Sequence, residues 1–311
     1  MWCGMLSSRH ARVALALVVV VVLLAGLTVL SSGAVSISEE EAAPEVLSHD
    51  DRLGFKVTPG DGEDLYLGGS DVLQVQVKDA YVEEEEITVE DVVYYPEDVM
   101  GRTVAVHGLA ARPSVQGSMP TVLLLHGQSY SAETWRELGT LELLAKEGFR
   151  AIALDLPSLQ DLSGTSITTD TFLWSLTATY PSLKNIVVVS PSMSGSFAIP
   201  FLEYLVVTYG SAFRSPPTIV GWVALAPVSV HTHAILFPSL DIPALLMFGE
   251  NDEKFRKAGS ALLEIPNNDY FLVPNAGHAC YRDNPEFFHS HLFDYLAKAR
   301  AFQRMRNRTG Q

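Results

Sequence analysis

Ser192 stands where the sequence changes from a β-branched apolar run, residues 186–189, to an apolar run of helical character. Small residues surround it, at Ser190, Ser194 and Gly195, in a Ser-x-Ser-x-Ser-Gly pattern. A sharp strand–turn–helix element tolerates little bulk on either side of a nucleophilic serine. The pattern predicts that Ser192 is a nucleophile presented above the end of a strand, with the backbone N–H of Met193 facing a developing oxyanion. A serine-rich loop after a buried strand is the alternative interpretation.

A histidine suited to act as general base comes later in the chain. His278 lies in the stretch Val273-Pro-Asn-Ala-Gly-His-Ala-Cys280, between the last strand-like run and the last helical run. Its small neighbours leave the imidazole room to approach a serine and accept its proton. Any one of the nine histidines is more often structural than catalytic. The loop position after the nucleophile makes His278 the predicted base.

An acidic residue that could orient this base follows the strand-like run 244–248. Asp252 lies just past that run, where a carboxylate can hold the imidazole in its useful tautomer. Glu250, Glu253 and Asp155 are alternatives of the same charge. Asp252 is also a residue type favoured as a helix N-cap, which is its non-catalytic interpretation. We predict Asp252 as the orienting acid.

A second oxyanion donor is predicted after the first apolar strand run, in Leu123-Leu-Leu-His-Gly-Gln-Ser129. A His-Gly turn brings a backbone N–H close to the nucleophile, and here it is that of Gln128. Two such donors, Gln128 and Met193, stabilise a tetrahedral intermediate. His-Gly pairs are common, so the prediction depends on the position of this pair relative to Ser192.

The elements that must position these residues alternate between strand and helix. Predicted strands cover residues 121–125, 151–154, 186–189, 219–225, 244–248 and 270–273, and predicted helices include 132–147, ended by Gly148, and 285–300. Residues 86–95 and 102–107 could form a leading antiparallel hairpin. Strand–helix alternation predicts an α/β fold with a mostly parallel central sheet and helices on both faces. A nucleotide-binding fold is disfavoured, because no Gly-x-Gly-x-x-Gly and no P-loop sequence follows any strand.

From residue 121 onward the chain resembles the α/β-hydrolase superfamily. The resemblance rests on His126-Gly127, Asp155-Leu-Pro157 and the chain order Ser192, Asp252, His278. More narrowly, Ser190-Pro-Ser-Met-Ser-Gly195 and Ala276-Gly-His-Ala-Cys-Tyr281 resemble the α/β-hydrolase domain-containing protein 14 family. An apolar N-terminal segment makes the chain similar to the membrane-bound A form of that family.

The resemblance implies a serine hydrolase or acyl transferase with Ser192, Asp252 and His278 as its catalytic set. Three hypotheses follow: an esterase, thioesterase or amidase that uses water, a transferase that passes the acyl group to a thiol acceptor, and a non-catalytic binding scaffold. Residues 227–243 are too few for a large cap domain. We therefore expect an open site that takes a small acyl substrate or an acylated protein side chain.

Residues 13–33 are predicted to be a transmembrane signal-anchor, since about 18 consecutive apolar or small residues approach the thickness of a bilayer core. Basic residues precede the run and acidic residues follow it, which predicts a single-pass type II topology. Residues 1–12 would be cytoplasmic, 34–80 an acidic flexible linker, and 81–311 an α/β-hydrolase domain that is lumenal or extracellular. A cleaved signal peptide is the alternative.

Composition excludes several other classes of function. The 311 residues carry a net charge of −15, which argues against nucleic-acid partners because phosphate binding needs clustered Lys and Arg. Two distant cysteines, Cys3 and Cys280, make neither a disulfide framework nor a zinc cluster, and burial would explain an unpaired Cys280. The proposed chemistry needs no metal and no dissociable cofactor. Asn307, in Asn-Arg-Thr, is a glycosylation candidate.

Overall fold

The computed structural model describes residues 56–57, 65–66, 87–113, 119–210 and 219–309. Two short strands, Lys56–Val57 and Leu65–Tyr66, pair antiparallel. The predicted cytoplasmic segment 1–12 and anchor 13–33 lie outside the described residues, as does most of the predicted linker 34–80. Within the described ranges, no helix combines the length and apolar character needed to cross a membrane.

Eight strands form one mixed sheet in the described part of residues 83–311. The strands are β1 (Val89–Tyr94), β2 (Val106–Ala111), β3 (Thr121–Leu124), β4 (Arg150–Leu154), β5 (Ile186–Pro191), β6 (Ile219–Leu225), β7 (Ala244–Gly249) and β8 (Asn268–Val273). Their order across the sheet is β8-β7-β6-β5-β3-β4-β2-β1. β1 pairs antiparallel with β2 and β2 with β4, and the remaining neighbours are parallel. The predicted mostly parallel sheet and leading hairpin are confirmed.

The central strands are almost entirely apolar because helices cover both of their faces. Every residue of β3, β5, β6 and β7 is buried. A strand covered on both faces reads as a continuous apolar run, whereas a half-exposed strand alternates. The edge strand β8 shows such a mixture of buried and exposed positions. Continuous runs at the centre of the sheet made these strands recognisable in the sequence.

Seven α-helices lie in the described ranges. They are α1 (Glu133–Glu137), α2 (Thr140–Lys146), α3 (Phe172–Thr179), α4 (Gly195–Tyr209), α5 (Glu253–Ala258), α6 (Cys280–Asp283) and α7 (Pro285–Thr309). Phe172 of α3 and Phe201 of α4 belong to one apolar cluster. Trp135 of α1 and Leu292 of α7 belong to the cluster on the other face of the sheet. Burial of each such side chain stabilises the fold by about 1.5–3 kcal/mol. The packing of the helices on the sheet therefore stabilises both.

The prediction of one continuous helix over residues 132–147 is wrong. Gly139 takes φ +67° and separates α1 from α2. Glycine adopts this left-handed conformation without the steric cost that other residues incur. The break lets Trp135 and Leu141 both reach the same cluster. Gly148, the predicted end of the helix, takes φ +87° just after α2.

The carboxylate of Asp98 organises the turn between β1 and β2. It accepts hydrogen bonds from the backbone N–H groups of Met100 and Arg102 and from the Arg102 guanidinium. These bonds keep residues 98–102 in a turn, so β2 begins at Val106 and the predicted start at Arg102 is wrong. Asp98 also accepts from the N–H and hydroxyl of Ser166, 68 residues away, which ties the loop after β4 to this turn.

We expect Asp98→Asn to lower the urea midpoint of unfolding at neutral pH. Burial disfavours the charged form, but hydrogen bonds from Ser166, Arg102 and Met100 outweigh it and hold the pKa of Asp98 well below 3.8. A carboxyl group whose pKa is lower in the folded than in the unfolded state stabilises the protein at any pH above its unfolded-state pKa. This stabilisation is lost as the pH falls toward the folded-state pKa. The difference from wild type should therefore shrink at about pH 3. The exposed Asp170→Asn is the control, and an equal loss there would contradict the prediction.

Candidate active site

Ser192 lies at the turn between β5 and α4, at the carboxyl edge of the parallel strands. A 3₁₀ turn, Ser192–Ser194, joins the strand to the helix. The φ of Ser192 is +48°, a left-handed value that costs a residue other than glycine about 1–3 kcal/mol. The backbone therefore has the strained strand–turn–helix geometry that the Ser-x-Ser-x-Ser-Gly pattern predicts.

Two of the small residues beside Ser192 are held by their own hydrogen bonds. Ser190 is fully buried, and its hydroxyl oxygen accepts a hydrogen bond of 2.7 Å from the indole N–H of Trp222. Ser194 is also fully buried and donates its hydroxyl to the carbonyl oxygen of Pro191 at 2.8 Å. Both hydroxyls are satisfied inside the turn, so neither competes with the half-buried Ser192 as the nucleophile.

Gly195 is required by the close approach of the segment that follows β6. A Cβ at this position would lie 2.6 Å from the carbonyl oxygen of Val228 and 2.8 Å from the Cβ of Pro227. The N–H of Val228 in turn donates to the carbonyl oxygen of Ser192 at 2.9 Å. The segment after β6 thus supports the nucleophile turn from one side, and a side chain at Gly195 would push it away.

The loop after β8 brings His278 to Ser192. Nε2 of His278 lies 2.8 Å from Oγ of Ser192, although 86 residues separate them. Nδ1 of His278 lies 2.6 Å from Oδ2 of Asp252. An ionised carboxylate accepts the Nδ1 proton, which leaves the Nε2 lone pair to accept the Ser192 hydroxyl proton. The structure therefore brings the three predicted catalytic side chains together in one hydrogen-bonded row.

The loops after β7 and β8 are tied together, and this sets the distance between the acid and the base. The N–H of Asn251 donates to the carbonyl oxygen of Ala276 at 2.9 Å. A side chain at Gly249 would collide with the carbonyl oxygen of Gly277. The Asp252 side chain is only 8% exposed, whereas that of His278 is 36% exposed. The acid is sheltered from water, whereas the base is partly open to solvent.

The carboxylates that competed with Asp252 in the sequence have other partners. Asp155 accepts a hydrogen bond of 2.7 Å from the N–H of Ala132. Glu250 accepts from the N–H of Asn275, and Glu253 forms an ion pair with Lys257. Asp252 does occupy the N-cap position of α5, but its side chain makes no capping hydrogen bond. Its carboxylate is turned to His278 instead.

The two predicted oxyanion donors lie on segments that flank Ser192. A Cβ on Gly127 would lie 3.7 Å from the Cβ of Ser192, so the loop after β3 runs beside the nucleophile. Gln128 follows in that loop and is exposed. Met193 follows Ser192 at the start of the turn that leads into α4, where the first backbone N–H groups have no acceptor within the helix.

His126 fixes the orientation of this loop, a role that the sequence did not reveal. Its Nε2 accepts from the N–H of Leu156 at 2.9 Å, so Nδ1 carries the proton and donates to the carbonyl oxygen of Gly127 at 2.8 Å. The C=O and N–H of a trans peptide point in opposite directions. The bond to Gly127 therefore turns the N–H of Gln128 away from His126. A buried histidine at a strand end needs hydrogen-bond partners for both ring nitrogens. That requirement is the feature of the sequence that could have indicated this role.

Two further predicted residues take no part in this hydrogen-bonded row. Cys280 is fully buried, and burial raises the pKa of its thiol to about 12, so it is protonated and unreactive. The burial expected of this cysteine is confirmed, while Cys3 lies outside the described residues. Asn307 is exposed near the end of α7.

Two known proteins show clear similarity to part of this chain. The chain is 36% identical over 190 residues to Protein ABHD14A of Rattus norvegicus, which spans 59% of this chain and 74% of that protein. It is 35% identical over 207 residues to human ABHD14B, whose name marks it as a candidate protein-lysine deacylase, spanning 62% of this chain and 93% of that protein. No protein-family model matches the chain.

The fold itself has a structural counterpart. A predicted CIB-like hydrolase from Thermoplasma acidophilum superposes with a TM-score of 0.52 at 20% sequence identity, covering 68% of this chain and 99% of that protein. At this level of identity the likeness concerns the fold alone. It confirms the α/β-hydrolase fold that the sequence predicts.

Proposed function

The chain belongs to the ABHD14 family of α/β-hydrolases, and we propose that it is a serine hydrolase that removes an acyl group through Ser192, His278 and Asp252. One observation carries the proposal. Oγ of Ser192 lies 2.8 Å from Nε2 of His278, whose Nδ1 lies 2.6 Å from Oδ2 of Asp252. A base that is oriented by a carboxylate and bonded to a strained serine is the arrangement that activates a hydroxyl nucleophile.

In the proposed reaction, Oγ of Ser192 attacks the acyl carbonyl carbon while His278 accepts the hydroxyl proton. Asp252 stabilises the resulting imidazolium, and the N–H groups of Gln128 and Met193 bind the oxyanion. His278 then gives its proton to the leaving group, and the acyl-enzyme forms. Water attacks the acyl-enzyme as His278 takes one of its protons, which releases the carboxylic acid and restores Ser192.

The proposed substrate is a small acyl group on a protein side chain, with lysine as the first candidate. The relative human ABHD14B, named as a candidate protein-lysine deacylase, supports this class. The 36% exposure of the His278 side chain leaves room for a large partner. The segment between β6 and β7 forms a 3₁₀ stretch, His231–Ser239, whose Leu236 and Phe237 are buried in the core. Faster turnover of long-chain than of acetyl esters would contradict a small acyl group.

We also propose that the chain is a membrane-anchored, A-type member of the family. Support comes from the apolar run in residues 13–33, its basic and acidic flanks, and the identity to rat ABHD14A. Residues 81–311 would then be a lumenal or extracellular hydrolase domain behind the linker 34–80, with Asn307 open to glycosylation. Alkaline carbonate extraction tests the anchor, because a protein with a membrane span stays in the pellet and release would overturn it.

Fluorophosphonate labelling of the full-length protein, followed by peptide mapping, tests the catalytic proposal. These probes react with an activated serine, so we expect one adduct, on Ser192. If an acyl-thioester product forms when a thiol is added, the acceptor is the thiol and not water. A folded protein that does not label, or labels at another residue, would overturn the proposal and favour a binding scaffold.

A further inference from the structure

The ring of Phe255 lies against the imidazole of His278. The two ring centroids are 3.8 Å apart and the planes are inclined by 32°, so the rings meet nearly face to face. Phe255 is half-buried and also packs against the core cluster that contains Phe248. It therefore reaches the imidazole from a supported position, in contact with the proposed base.

Asp252 and Phe255, which both contact His278, belong to one turn of helix. Phe255 follows Asp252 by three residues, a spacing that places two side chains on the same side of a helix. The turn is formed, because the N–H of Arg256 donates to the carbonyl oxygen of Asp252 at 3.0 Å. Asp252 holds the edge of the imidazole at Nδ1, and Phe255 covers one face of the ring.

A further restraint on the ring matters because His278 lies in a loop of small residues and is partly exposed. Its neighbours in the loop, Gly277 and Ala279, have almost no side chain, and the His278 side chain is 36% exposed. The hydrogen bonds at Nδ1 and Nε2 both lie at the ring edge, so the ring can still tilt about the line that joins them. A misplacement of about 1 Å in a catalytic group can lower a rate by about 100-fold.

The same contact suits the charged state of the base. When His278 takes a proton from Ser192, the imidazolium lies over the negative face of an aromatic ring, which is an attractive arrangement. Two charged groups face this pair: the Asp252 carboxylate, at 2.6 Å from Nδ1, and the exposed Lys254 ammonium, at 5.6 Å from the Phe255 centroid.

We propose that Phe255 is a positioning residue. It holds the imidazole of His278 in the orientation in which Nδ1 meets Asp252 and Nε2 meets Ser192. This rests on the proposed hydrolase function. Phe255 acts through His278, so its loss should slow the chemical step and leave substrate binding unchanged.

The test compares Phe255→Leu, Phe255→Tyr and Ser192→Ala in the full-length protein, with acetyl-ester hydrolysis and the rate of fluorophosphonate labelling as measurements. Leucine keeps apolar volume but removes the planar face, so we expect kcat to fall about tenfold while KM changes by less than about twofold. Tyrosine keeps the face and should restore kcat. The labelling rate, which needs the base but no natural substrate, should follow kcat.

Phe287→Leu is the matched control, because Phe287 stacks on His291 in α7 with centroids 4.1 Å apart and planes inclined by 24°. It removes an equivalent stack that does not involve the proposed base, so kcat should stay at the wild-type value. An unchanged kcat in Phe255→Leu, a rise in KM alone, or an equal loss in Phe287→Leu would each overturn the positioning role. Wild-type turnover in Ser192→Ala would instead overturn the proposed function itself.

Discussion

Replacing Ser192 with alanine is expected to lower kcat for acyl-ester hydrolysis by about 10⁶-fold, because the residues of a serine catalytic set act as a unit. The hydroxyl lies 2.8 Å from Nε2 of His278, so its removal leaves the base without the nucleophile that it activates. Steady-state turnover of an acetyl ester and fluorophosphonate labelling should disappear together.

Ser196→Ala is the control, since Ser196 donates to the carbonyl oxygen of Met193 and lies outside the hydrogen-bonded row. Its activity should remain near wild type.

Ser192→Gly adds a thermodynamic test, because φ at Ser192 is +48°. Glycine relieves left-handed strain that alanine retains, so the glycine variant should be more stable than the alanine variant by about 1 kcal/mol. Substantial activity in either variant would contradict the role of Ser192.

Asp252→Asn should lower kcat by about 10⁴-fold while leaving the fold intact. An amide can donate a hydrogen bond to Nδ1 of His278, which moves the imidazole proton to Nε2. That nitrogen can then no longer accept the Ser192 hydroxyl proton, although it stays 2.8 Å away. Stopped-flow or steady-state rates with an acetyl ester measure the loss, and thermal unfolding checks the fold.

Glu250→Gln and Glu253→Gln provide controls of equal charge change within three residues of the same turn. Glu250 accepts a hydrogen bond from the N–H of Asn275, and Glu253 pairs with Lys257 on the exposed side of α5. Both variants should keep kcat within about twofold of wild type, because surface charges act weakly. A large loss in either one, with Asp252→Asn still active, would reassign the orienting acid.

Local chemistry made the fold class and the nucleophile turn predictable. The central strands are buried on both faces, so they appear as unbroken apolar runs, and Ser190, Ser194 and Gly195 reflect a turn with no room for bulk. Boundaries were less predictable. The split at Gly139 and the late start of β2 depend on one left-handed glycine and on the hydrogen bonds of Asp98, which a periodic pattern does not show.

By itself, the sequence determined which residues could do chemistry: a serine at a strained turn, a histidine in a late loop, and a short run of carboxylates after β7. It favoured Asp252 as the orienting acid but left Glu250 and Glu253 as alternatives, because the three differ little in type and position. Tertiary structure made the choice through the bond from Asn251 to Ala276, which ties two loops and leaves only Asp252 directed at His278. The contact of Phe255 with the same imidazole was decided in the same way, since it depends on packing between segments distant in the chain.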